Sequence, residues 1–287
     1  MQTIIVEKDF DDCRIDRFIK HKFNLTQGLI CKLLRQKDIL LNGKKAEINN
    51  RVKFGDSIKT IATLKIIADK IERKIIKSSD VDLIKKSIIF ENDEIIAIDK
   101  PYGISVQEGE IKKISVIEVL QNIYDENIKI VHRLDKETTG VMIFAKNRIS
   151  AIKFTELFKS RLIKKTYIAK LDGIPKILSG SIETNIDKIS GESSESFAQN
   201  VNQGGKVAIS EYNIIEINKE NNSCIAEFKP ETGRMHQIRL HALYMNCPII
   251  GDRKYNKHYS NGEKMNLRSI SIKLSDELTI NVPRGTF

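Results

Sequence analysis

The sequence predicts an α+β protein: a larger domain built on an antiparallel-rich mixed sheet, preceded by a small module of two helices and a hairpin. Three observations carry this. First, the chain has 287 residues, 40% hydrophobic and 30% charged, with only 15 Gly and 5 Pro. That length suits two unequal domains with ample core, and the composition excludes a collagen-like or largely disordered chain. Second, beyond residue 87 strand-like runs follow one another with helices between groups, unlike the strict alternation of a doubly wound parallel sheet. Third, residues 1–60 hold thirteen Lys/Arg against eight Asp/Glu, about half of the net charge of +10.

In the first segment Ile15, Phe18, Ile19 and Phe23 form an apolar stripe at helical spacing. A second helix opens at Thr26, a suitable N-cap, and carries Leu29, Ile30, Leu33 and Leu34 on one face. Arg14, Arg17, Lys32, Arg35 and Lys37 fall on the opposite faces. Ile39-Leu40-Leu41 runs into Asn42-Gly43, a strong hairpin signal because a type I′ turn needs positive φ twice. A further turn at Gly55-Asp56 precedes a last strand. The module spans residues 12–61. Residues 62–86 contain no Gly or Pro and read as a linker of extended or helical content. The larger domain, 87–287, opens with a hairpin of 87–90 and 95–98. Further strands are expected at 140–145, 165–171, 210–217 and 223–228, and helices at 116–124, 149–159 and 234–244.

No apolar stretch reaches the roughly 18 residues of a membrane span, and Glu7, Lys8 and Asp9 interrupt any signal-peptide core. The expectation is a soluble, cytoplasmic protein with no membrane partner. Its pI near 9.3 makes a polyanion the first partner to consider, while 6% aromatic residues and no Trp argue against a single-strand binder that works by stacking alone. Cys13, Cys31, Cys224 and Cys247 form no CxxC and read as small core hydrophobes. His236 and His241 miss the i, i+4 spacing of a helical ligand pair, so no metal site is expected.

Three clusters could carry chemistry. Lys100-Pro101-Tyr102-Gly103 follows a strand and is either a platform for a ligand-touching loop or only a turn. In 132–140, polar residues precede a strand too apolar for a surface. There Asp135, flanked by Arg133 and Lys136, is either a carboxylate kept ionised by nearby cations or an Asx-type cap of the following amides. In 231–241, Arg234, Gln237 and His241 would share one helical side. Arg239, between Ile238 and Leu240, would emerge near a buried face, where a guanidinium needs a carboxylate. A pairing of Arg239 with Asp135 across 104 residues meets both needs.

Over nearly its whole length the first segment resembles the S4-type RNA-binding module, through its paired helices, the hairpin Ile39 to Lys44 and the closing Gly55-Asp56. Three motifs further on resemble the RluA-type pseudouridine synthase family. They are His132-Arg133-Leu134-Asp135 with Thr138-Thr139-Gly140, the run Thr232 to His241, and Gly251-Asp252-Arg253-Lys254-Tyr255. Within the family, length and the S4-like module resemble the C type most, the D type next.

The resemblance implies a monomeric enzyme, without metal or organic cofactor, that isomerises specific uridines to pseudouridine in 23S ribosomal RNA of the large subunit or its precursor. Asp135 matches the catalytic aspartate that attacks the uridine after base flipping, and Arg239 the arginine that pairs with it. Tyr167 matches the tyrosine that packs on the base and removes the C5 proton, although its strand pattern alone reads as core. Arg133 matches the arginine that enters the RNA where the base leaves, and Ile238 an apolar residue of the base pocket. Arg17, Lys32 and Arg35 would meet RNA from the S4-like module. The chain departs from the family pattern at Gln107, where a His is usual, at Thr139 for Ser and at Met235 for Thr. The rival from another class is a non-catalytic RNA-binding or ribosome-assembly protein, which has no need of an ionised Asp135 paired to Arg239. An enzyme acting on transfer RNA is a weaker rival.

Overall fold

Each apolar stripe of the sequence becomes a buried face. The computed structural model describes residues 2–23, 25, 27–60, 76–107, 114–125, 127–188, 197–199 and 205–283. Its backbone contacts divide the chain into two units, one within the first 75 residues and one holding 76–107 and 114–287.

The first unit contains β1 (Gln2–Ile5), β2 (Cys13–Arg14), α1 (Ile15–Phe23), α2 (Gln27–Arg35), β3 (Ile39–Leu41), β4 (Lys44–Lys45), β5 (Arg51–Val52) and β6 (Ser57–Thr60). Four strands form a sheet in the order β1-β6-β3-β4, and β2 pairs with β5. Ile15, Phe18 and Ile19 of α1 and Ile30, Leu33 and Leu34 of α2 share one core with Ile39, Val52 and Ile58. Arg17, Lys32 and Arg35 stay exposed. Asn42 and Gly43 have φ of 50° and 74°, as the hairpin turn requires. Thr26 lies outside the described residues. Arg14 departs from the helical-face reading: it sits in β2, and its guanidinium grips the buried Asp16 at 2.9 and 3.1 Å. A buried carboxylate holds a guanidinium that can fork onto it.

The second unit runs α3 (Ser78–Ser87), β7 (Ile88–Glu91), β8 (Ile95–Lys100), α4 (Val116–Ile123), β9 (Lys129–Ile130), β10 (Thr139–Ala145), α5 (Arg148–Lys159), β11 (Lys164–Asp172), β12 (Ser179–Lys188), β13 (Phe197–Gln199), β14 (Lys206–Asn218), β15 (Ser223–Pro230), α6 (Gln237–Tyr244), β16 (Leu267–Lys273) and β17 (Thr279–Asn281). Of the segment 62–86, residues 62–75 lie outside the described residues. The rest is largely α3, which buries Ile84 in the core of this unit. No helix among the described residues is long and apolar enough to cross a membrane.

Nine strands line up as β13-β12-β14-β15-β11-β16-β10-β8-β7, with β17 on β16 and β9 on β10. Among the described strands the β10–β16 pairing is parallel and the others are antiparallel. The sheet is therefore mixed and antiparallel-rich, as expected. Strand β10 is covered on both faces. Met142 and Phe144 meet Val116, Val119 and Leu120 of α4, and Val141 and Ile143 meet Phe154 of α5. A strand buried on both faces needs no polar alternation, which explains the unbroken apolar run at 141–145.

Strand β16, which the sequence pattern did not reveal, is inserted between β10 and β11. Its approach depends on Gly140: φ there is 102°, and a Cβ would stand 2.0 Å from the Ser269 carbonyl oxygen. Only glycine allows both the left-handed backbone and the contact. Gly140→Ala should therefore lower the urea midpoint by an amount equivalent to about 1–3 kcal/mol or more, with an unchanged m-value. An unaltered midpoint would mean that β16 can step aside.

Candidate active site

The loop between β9 and β10 carries Asp135 and is clamped from two sides. Lys100, at the end of β8, is fully buried. Its ammonium donates to the carbonyls of Pro101 (2.8 Å), Ile104 (2.9 Å) and Lys136 (3.1 Å), and the Gly103 N–H also donates to Lys136 (3.0 Å). Burial pulls the Lys100 pKa down to about 8, opposed by the charge of Asp135. The Lys100–Gly103 cluster thus clips one loop to the next. On the other side His132 Nε2 accepts the Ile143 N–H at 3.0 Å and its ring stacks on Phe158 at 4.5 Å. The turn is closed by backbone, the Thr138 N–H donating to the Asp135 carbonyl at 3.1 Å. Among the described residues the Asp135 side chain caps no amide, so the Asx alternative falls and the carboxylate remains available.

The second cluster folds differently from its helical pattern. Helix α6 begins at Gln237, so Arg234 is not on its face. The preceding turn is built on Gln237, whose Oε1 accepts from the Thr232 hydroxyl (2.6 Å) and the Arg234 N–H (3.0 Å). Its Nε2 donates to the Ile209 carbonyl and the Ser210 hydroxyl, both at 2.8 Å. A buried amide that satisfies four partners outweighs one more helical turn. His236 enters the helix with φ of 54°. Arg239, three residues on, is 5% exposed.

Arg239 does reach Asp135, its Nη1 standing 3.4 Å from Oδ2. The stronger partner is another carboxylate. Nε and Nη2 fork onto the two oxygens of Asp252, both at 2.7 Å. Asp252 is fully buried, and its Oδ1 also accepts the N–H groups of Lys254 (2.9 Å) and Tyr255 (3.1 Å). The turn that delivers it depends on Gly251, with φ of 76° and room for no Cβ, which would lie 2.0 Å from the Lys264 carbonyl. Asp252 was visible in the sequence only as part of Gly251 to Tyr255. The need of a buried arginine for a carboxylate applied to it as much as to Asp135. Tyr255 completes the wall, its ring 5.0 Å from the Arg239 guanidinium and its hydroxyl 2.8 Å from His236 Nδ1. Burial lowers the His236 pKa against the pull of Asp135, whose carboxylate lies 3.8 Å away.

A cavity of about 290 Å³ gathers Asp135, Arg239, Tyr167, Ile238, Arg133 and Lys165 in its lining. It thus brings together five of the residues singled out from the sequence. Burial, and then the charge of Asp135, push the Tyr167 phenol up, so it stays protonated. Arg133 is exposed at the rim. Gln107 is exposed and does not line the cavity. Arg17, Lys32 and Arg35 belong to the other unit.

A family model described as RNA pseudouridylate synthase matches residues 94–244, which hold Asp135, Tyr167 and Arg239. The chain belongs to this family. Pseudouridine synthases are isomerases, and this chain is an RNA pseudouridine synthase. It is 39% identical over 274 residues to the ribosomal large subunit pseudouridine synthase C of Rickettsia felis, covering 92% of this chain and 89% of that one. To the same-named protein of Rickettsia bellii it is 41% identical over 249 residues, covering 84% and 82%. Among solved structures, human RNA pseudouridylate synthase domain containing 1 shares the fold with a TM-score of 0.60 at 21% identity, over 72% of this chain and 85% of that one. Human RNA pseudouridylate synthase domain containing 4 does so with a TM-score of 0.58 at 24% identity, over 70% and 88%.

Two outcomes follow from the geometry of this synthase. Asp252→Asn should reduce kcat for pseudouridine formation at least ten-fold and cost about 3–5 kcal/mol of stability, because it leaves a buried guanidinium short of charge. A wild-type kcat in a folded variant would mean that Arg239 needs no such anchor. The second concerns His241, fully buried, with Nε2 3.1 Å from the Thr184 hydroxyl. Burial lowers its pKa to about 4, while the unfolded value is about 6.5. Between these the unfolded state takes up the proton first, so stability falls as pH drops from about 6.5 to 4 and is whole above that window. In His241→Gln the fall of the melting temperature over this range should be shallower than in the wild type. Parallel curves would refute the assignment.

Proposed function

We propose that the chain isomerises specific uridines of large-subunit ribosomal RNA, the substrate that the names of its Rickettsia relatives give for those proteins. In this reading Asp135 is the nucleophile toward a base extruded into the cavity. One observation carries it: the carboxylate in the cavity wall is contacted by an arginine that a second, buried carboxylate immobilises, beside Tyr167 and Ile238.

The chemistry asks little more. Asp135 attacks the nucleoside, the N1–C1′ bond breaks and N1 keeps the electron pair. The base turns, C5 attacks C1′ and displaces the Asp135 carboxylate as the C5–C1′ bond forms, C5 then loses its proton and N1 gains one. No electrons enter or leave. Arg239 Nη1 orients the carboxylate oxygen through one long contact, leaving it free to react. Taking the base out of its stack costs a few kcal/mol, which Arg133 offsets by filling the gap from the rim. Ile238 supplies an apolar contact for the ring. Tyr167 packs on the base; its phenol is a poor proton acceptor in the resting site. It gives its own proton toward N1 of the departing base, and the phenolate so formed takes the C5 proton after the C5–C1′ bond has closed and Asp135 has left.

Residues 12–61 act as the S4-like grip on RNA phosphates. The exposed Arg17, Lys32 and Arg35 support this, since they lie on helices whose other faces are buried.

Asp135→Asn should abolish pseudouridine formation, measured by carbodiimide adducts and primer extension, while RNA affinity stays within about two-fold; retained turnover sinks the nucleophile assignment. Replacing Arg17, Lys32 and Arg35 together by Ala should flatten the slope of log Kd against log salt by about 2, at roughly 0.7–0.9 per lost phosphate contact. An unchanged slope would remove these residues from the RNA interface.

A further inference from the structure

The cavity carries more positive charge than its own carboxylate can balance. Its lining includes Arg133, Lys165, Arg234 and Arg239 against the single carboxylate Asp135. Arg239 is matched by Asp135 and Asp252. Arg234 donates through Nε to the Val207 carbonyl at 2.9 Å, and Arg133 is exposed. Lys165 is the exception. It sits two residues before Tyr167 on β11, and both line the cavity. It is only partly exposed, and among the described residues its ammonium has no hydrogen-bond acceptor and no ion-pair partner.

Lys100 makes the contrast plain. That ammonium, also withdrawn from solvent, is given three carbonyl acceptors; Lys165 is given none. Burial lowers the Lys165 pKa with nothing opposing it. An ammonium with three donors and no acceptor in a half-closed site is costly unless a ligand completes it. Gly233 leaves the approach open. Its backbone is not in the left-handed region, so conformation does not demand glycine there, and an added Cβ would stand 3.9 Å from Lys165 Nζ. A methyl group would fit, but it would cover one flank of the ammonium.

We propose that Lys165 Nζ, reached past the bare flank of Gly233, binds a phosphate oxygen of the RNA strand beside the extruded uridine. This rests on the reading that the cavity receives the target base, and it deepens that reading by naming where the backbone of the same nucleotide is held. A neutral base carbonyl would leave the excess charge of the cavity unbalanced; a phosphodiester brings the missing anion. Lys165 is then a binding residue, and its loss acts on affinity before it acts on turnover.

The test uses the full chain with transcribed large-subunit rRNA, in wild type, Lys165→Met, Lys165→Arg and Gly233→Ala. Kd is measured across a salt series in the Asp135→Asn background, and KM and kcat in the active one. Lys165→Met should weaken RNA binding about ten-fold at low salt and lower the salt slope by about 0.7–0.9, the signature of one lost phosphate. Saturated kcat should stay within about three-fold of wild type. Its melting temperature should hold or rise, because an uncompensated charge has been removed. Lys165→Arg should keep most of the affinity, and Gly233→Ala should lose part of it. Inorganic phosphate at constant ionic strength separates the sources of the anion. Competitive inhibition that disappears in Lys165→Met adds free phosphate as a ligand. No inhibition, with the altered salt slope, confines the site to phosphates of the polymer. An unchanged Kd and salt slope in Lys165→Met overturns the proposal, as does a loss confined to kcat with a lowered melting temperature. Retained turnover in Asp135→Asn would instead overturn the reading of the cavity, whatever Lys165 does.

Discussion

Arg239 is committed to Asp252 before it is offered to Asp135. Two charges withdrawn from water repay their desolvation only with near-ideal geometry and their remaining donors and acceptors satisfied. The fork onto Asp252 meets that condition, with two contacts of 2.7 Å and two backbone N–H groups on the same carboxylate. What remains of the guanidinium is Nη1, aimed at Asp135 from 3.4 Å. The asymmetry matters. A carboxylate held as tightly as Asp252 would be a counter-ion, whereas Asp135, 20% exposed and touched at one oxygen, can still reach a ligand.

The rest of the second unit holds that geometry still. Asp135 lies on a loop, which by itself would wander. Lys100 ties the loop to the end of β8, His132 anchors its start to β10 and α5, and Gly140 lets β10 close against β16 immediately after it. On the opposite wall, Gln237 fixes the turn before α6 and Gly251 fixes the turn that carries Asp252. Each clamp stands on a sheet covered on both faces near β10; Gly140 and Gly251 take left-handed backbone without steric strain, and the strain of the left-handed His236 is offset by packing around it.

Much of this was legible in the residues. The helical stripes at Ile15 to Phe23 and Leu29 to Leu34, the Asn42-Gly43 turn and the strands at 140–145 and 165–171 are local patterns, and local patterns survive folding when burial agrees with them. The pairing of Asp135 with Arg239 was also legible, as two unmet electrostatic needs. Other features were not. Strand β16 has Ser269 at a fully buried position, so its period was masked, and its place depends on Gly140 in another strand. Helix α6 starts late because Gln237 finds partners on β14, far away in sequence. Arg14 left its expected helical face because the buried Asp16 claimed it. Tyr167 read as core on its strand pattern alone, and only the cavity shows that it is both buried and beside Asp135.

By itself, then, the sequence determined most of the helices and several of the strands, the basic surface of α1 and α2, the class of fold and the motifs that mark the family. These depend on residue type and short spacing, which the chain carries wherever it goes. Tertiary structure decided which carboxylate holds Arg239, which lysine is satisfied and which is left facing the cavity, and where the turns must be glycine. Those outcomes depend on distances of a few ångströms between segments up to about a hundred residues apart. Electrostatics in a desolvated site changes steeply over such distances, and no pattern along the chain encodes them.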